Sequence, residues 1–131
     1  MNTSLSFVHF CDHASMSTDG KLNLVGIFEG LFAQEMPTRH PQMFALIRLN
    51  FPKGNHTITV TLMQQDKVLA KTTFEKDVAK GTPQNLLWGI YALDIESWDP
   101  IELKAYENGT ELGGATLPIY RLPKPFKKPS K

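Results

Sequence analysis

The chain predicts an all-β domain, an antiparallel β-sandwich of about eight strands in the manner of Ig-like or C2-like domains. Three observations carry this expectation. Between His56 and Met63, apolar residues alternate with Thr57, Thr59 and Thr61, the period-2 signature of a half-buried strand. Asn108-Gly109 lies between two alternating runs and suits the two positive φ angles of a type I′ hairpin turn. No segment sustains apolar residues at helical spacing.

Leu5 to Cys11 reads as the first strand, with Leu5, Phe7, His9 and Cys11 on one face and Val8 and Phe10 on the other. Residues 12–19 are small and polar and form a connection that Asp19-Gly20 closes. Lys21 to Phe28 is the second strand and continues toward Ala33. Leu22 and Leu24 share one of its faces, while Val25 and Ile27 make the other apolar, so both faces are expected to be covered. Gly26 marks a bulge or the close approach of another backbone.

Gln34 to Gln42 contains Pro37 and Pro41 and reads as a loop crossing between sheets. Met43 to Phe51 is a buried strand, with Met43, Ala45, Ile47, Leu49 and Phe51 on one face. Pro52 to Asn55 is a turn. His56 to Met63 and Val68 to Phe74 then form a hairpin with Ile58, Val60 and Leu62 facing in. Residues 76–85 read as a longer loop around Gly81 and Pro83. Leu86 to Ile95 is apolar on both faces, and Glu96 to Pro100 turns a corner. Ile101, Leu103 and Ala105 make an inward face, and Glu111 to Tyr120 is the last strand. Pro118 cannot donate to a ladder, which puts that strand at an edge.

Cys11-Asp12, the run from Gly20 through Phe28, Met36-Pro37 and the strand ending Ile47-Arg48-Leu49 resemble a family of small, uncharacterised bacterial and phage proteins, a domain of unknown function. The resemblance is closest over the first half of the chain and looser at the Asn108-Gly109 hairpin. It implies a β-rich fold and assigns no activity.

At 131 residues, 41% hydrophobic and 21% charged, the chain suits one soluble domain with room for a core. No apolar run approaches the roughly 18 residues of a membrane helix. The first residues lack a basic segment, and Ser6 and His9 break the apolar run that follows. No secretory signal is expected, and the location reads as cytoplasmic. The lone Cys11 has no internal disulfide partner and fits a reducing compartment.

The candidate domain spans residues 1–120. Residues 121–131 form a basic, proline-rich tail that is expected to be disordered. Its Arg121, Lys124, Lys127, Lys128 and Lys131, with Phe126 as an anchor, are the candidate partner-binding residues. Removing these five positive charges from the net of +1 leaves residues 1–120 at −4, which offers no nucleic-acid face on the body.

His9-x-Cys11-x-His13 is the sharpest chemical pattern, since soft thiolate and imidazole ligands suit zinc or copper. Same-face strand residues lie about 6–7 Å apart, too far for three in a row to converge without a bend. A metal site would need a second segment, which only His40 or His56 could supply. A Cys11 nucleophile would need an adjacent base, and no hydrolase signature surrounds it.

Asp94, Glu96 and Asp99 cluster near a strand end, as calcium-binding loops do, but their spacing matches no loop motif. Trp88, Tyr91, Trp98, Tyr106 and Tyr120 could line a recognition patch, with Tyr106 most clearly outward. The chain therefore reads as a non-enzymatic interaction module without catalytic residues or cofactor. Its partner is a protein, or a second copy met through an edge strand. Two rivals stand beside this reading: an accessory protein that meets nucleic acid or an acidic partner through the tail, and a metal-binding or thiol enzyme centred on Cys11.

Overall fold

A computed structural model describes residues 2–123. Ten strands run in chain order: β1 (Ser4–Met16), β2 (Leu22–Phe28), β3 (Leu31–Ala33), β4 (Thr38–Phe51), β5 (Gly54–Gln64), β6 (Lys67–Val78), β7 (Thr82–Ile95), β8 (Ile101–Glu107), β9 (Thr110–Leu117) and β10 (Ile119–Arg121). They form two antiparallel four-stranded sheets, ordered β2-β1-β4-β7 and β6-β5-β8-β9, and a short parallel pair, β3-β10. Among the described residues there is no helix.

Period-2 alternation builds the core directly. Met43, Ala45, Ile47 and Leu49 of β4 are fully buried, and the first three pair with Ile90, Trp88 and Leu86 of β7. Ile58, Val60 and Leu62 of β5, with Ile101, Leu103 and Ala105 of β8, supply the inner face of the second sheet. The two faces join in one apolar cluster, as stacked sheets must to remove apolar surface from water.

The β5–β6 hairpin pairs Ile58 with Phe74 and Gln64 with Lys67. At the β8–β9 turn Asn108 and Gly109 have φ of 51° and 79°, both positive as a type I′ turn requires.

The differences from the sequence expectation have local causes. There are ten strands in three sheets instead of about eight in two. The predicted 34–42 loop is shorter, because β4 begins at Thr38 and runs through Pro41. Pairing of β1 with β4 ends at Cys11 opposite Phe44, so beyond that point β4 has β7 as its ladder neighbour and tolerates a residue without an N–H. The predicted 76–85 loop shrinks to residues 79–81, with Pro83 at the start of edge strand β7. In β1 a register shift between Leu5 and Phe7 separates two residues expected on one face. Leu5 packs against the core and Phe7 is exposed.

Pro118 is the point where the chain changes sheets. Its carbonyl accepts from the Leu31 N–H at 2.9 Å, and Ile119–Arg121 then pairs with Leu31–Ala33. Gly26 has φ of 71°, and the carboxylate of Asp12 occupies the space a Cβ would fill. The close approach is made by a side chain, while the β1–β2 register continues on either side.

Candidate functional site

The outer face of the first sheet follows from register. Cys11 lies between Ile27 on β2 and Phe44 on β4, and His9 lies opposite Leu46. His13 pairs with Val25, and its ring meets Phe44 edge-on at 5.7 Å. Phe44 in turn meets Tyr91 of β7 edge-on at 6.0 Å. This row fits because position 89 is glycine: a Cβ there would come within 3.0 Å of both Phe44 and the Tyr91 hydroxyl.

Val25, Ile27 and Tyr91 are 60%, 58% and 63% exposed, so the outer face of β2 is open where its composition predicts cover. Two β4 arginines bound this strip: Arg48, whose guanidinium donates to Asn85 at 3.0 Å, and exposed Arg39, which pairs with exposed Asp94 of β7. A connected apolar and aromatic strip with few charges is the composition of an interface core.

His9, Cys11 and His13 do share this face, but they do not converge. Cys11 is fully buried, and burial, then the negative charge of Asp12, pushes its thiol upward against weaker opposing backbone hydrogen bonds. A raised thiol is a poor nucleophile at neutral pH. The His9 ring packs on Phe7 at 4.7 Å, while the Gln42 side-chain nitrogen lies 3.4 Å from Nδ1 of His13. His56 belongs to the second sheet and His40 sits 6.1 Å from Phe28. Burial holds His40 below the usual histidine range against the opposing pull of Asp12. Among the described residues no group of three or more His, Cys, Asp or Glu side chains could hold a metal ion.

The acids near the corner are separately occupied. Arg39 donates to both oxygens of Asp94 at 2.7 and 3.2 Å, Lys67 donates to Glu96 at 2.6 Å, and Ser97 donates to Asp99. Trp88 is core, and Tyr106 is half-buried. Trp98 lies under the guanidinium of Arg121 at 4.5 Å. Arg121 is therefore part of β10, whereas Lys124, Phe126, Lys127, Lys128 and Lys131 lie outside the described residues.

A second constellation was not singled out from the sequence. At one end of the sandwich, His56 Nδ1 lies 2.6 Å from a Glu107 oxygen and Nε2 lies 2.7 Å from the Pro52 carbonyl. The side chains are 9% and 15% exposed at the floor of a polar groove of about 590 Å³. Burial opposes charge on the ring, but the Pro52 carbonyl and Glu107 outweigh it and raise His56 above its ordinary value. The signal was present: His56 shares parity with Ile58 and Val60, and Glu107 with Leu103 and Ala105, so two inward polar residues had to meet at the sandwich end.

Comparison with known families matches residues 6–119 to a family of unknown function (DUF6941). The chain belongs to this family. The DUF6941 match spans β1 through the first residue of β10, so both large sheets fall inside it. No curated protein matches the chain.

Proposed function

We propose that this DUF6941 protein is a non-enzymatic binding module that docks a protein partner on the outer face of its first sheet. The observation that carries the reading is the open, uncharged strip from Val25 and Ile27 across Cys11 and Phe44 to Tyr91, with Arg48 and the Arg39–Asp94 pair beside it on β4 and β7. Exposed Tyr91 contributes a large, stiff contact surface of the kind that anchors interfaces. The raised Cys11 thiol and the separately paired acids favour binding over catalysis. The single cysteine suits a reducing, cytoplasmic setting.

The test is capture of partners by the tagged chain, with Tyr91→Lys and a chain ending at Pro123 run in parallel. A partner held by wild type and by the shortened chain, and lost from Tyr91→Lys, supports the reading. Equal capture by wild type and Tyr91→Lys contradicts it, and loss on shortening transfers the activity to the basic tail.

A further inference from the structure

We infer that the open edge of β2 takes a second copy of this chain. The inference rests on the outer face being a binding surface, and it names what meets one border of that surface. Each large sheet has two edge strands, and three of the four carry features that discourage pairing. β6 bears Lys67, Lys71, Glu75, Lys76 and Asp77. β7 has Pro83 as its second residue and carries the charge of Asp94 near its end. β9 carries the charge of Glu111 at its second position. β2 reads Leu-Asn-Leu-Val-Gly-Ile-Phe, with neither charge nor proline.

An edge strand presents unpaired N–H and C=O groups, and an added strand satisfies them. The side chains of β2 select its own sequence. In an antiparallel two-fold arrangement centred on Gly26, Val25 faces Ile27 of the second copy on the outer side, and Leu24 faces Phe28 on the inner side. Every such pair is apolar, and each occurs twice because the contact is self-complementary. The two Gly26 residues meet at the centre, so the positions of positive φ and absent Cβ fall opposite each other. A strand carrying Lys or Glu at these positions would set a charge against Val25 or Ile27. A second β2 sets none.

The product is one eight-stranded sheet whose two outer faces run together. In it Val25 and Ile27, more than half exposed in the single chain, each gain an apolar cross-strand neighbour beside them on the outer face.

Sedimentation equilibrium of wild type, Val25→Lys, Ile27→Lys and Tyr91→Lys tests this. Wild type is expected to dimerise, both β2 variants to weaken the dimer by at least about tenfold, and Tyr91→Lys, at the far side of the face, to leave it intact. Because Val25 and Ile27 are exposed, both variants should keep the wild-type circular dichroism and melting profile. If a β2 variant loses them, hydrogen exchange on wild type decides: amides in residues 22–28 that slow with rising concentration support the contact, and unchanged exchange refutes it. Wild type that remains monomeric at about 100 μM overturns the inference. So does a dimer broken by Tyr91→Lys but not by Ile27→Lys. Monomeric wild type that still loses a captured partner through Tyr91→Lys removes the second copy and leaves the docking face standing.

Discussion

Each ring nitrogen of His56 faces an acceptor, the Glu107 carboxylate on one side and the Pro52 carbonyl on the other, an arrangement that favours the doubly protonated ring. Folding raises the ring above its ordinary value of 6.5. The pair's contribution to stability is therefore complete below that value and is lost as pH rises through the raised one. Urea unfolding across this range should show stability falling on the alkaline side, and Glu107→Gln should flatten the dependence. Glu107→Ala takes the carboxylate partner from a largely buried ring and should cost about 1–3 kcal/mol, most at pH below the ring's ordinary value. Cys11, buried and with a raised thiol, should resist iodoacetamide in the folded protein and react in denaturant. Rapid labelling of the native protein would revive the thiol reading.

Gly26 shows how one residue sets the limits of an element. Its left-handed backbone and the Asp12 carboxylate beside it both exclude a side chain, so Gly26→Ala should lower the unfolding free energy by about 1–3 kcal/mol in urea titrations. Sequence reading caught the glycine and the Asn108-Gly109 turn because both are local. It began β4 and β7 too late because proline reads as a breaker. Only the pairing partners reveal that Pro41 and Pro83 occupy stretches with one ladder neighbour. The β3-β10 pair was beyond reach for a similar reason: two three-residue strands far apart in sequence have no periodicity to read.

The two-layer architecture was legible because its inner faces are written in long alternating runs, from Met43 to Phe51 and from His56 to Met63. Leu103, buried at the centre of β8, should cost about 2–5 kcal/mol on truncation to alanine, measured by thermal or urea unfolding. The open face was not legible. Alternation identifies two faces of β2 and β7 but cannot say which lacks a cover, and apolar residues at Val25, Ile27 and Leu87 resemble core positions. His9 and His13 stood out by spacing alone, and the fold gives them aromatic neighbours, Phe7 and Phe44.

The most direct measurement is a hydroxyl-radical footprint of the protein, free and bound to a captured partner. The docking account predicts protection gathered on Phe44 and Tyr91 and around Val25 and Ile27. Protection confined to the His56–Glu107 groove or to residues beyond Pro123, with Tyr91 as reactive as in the free protein, would contradict it.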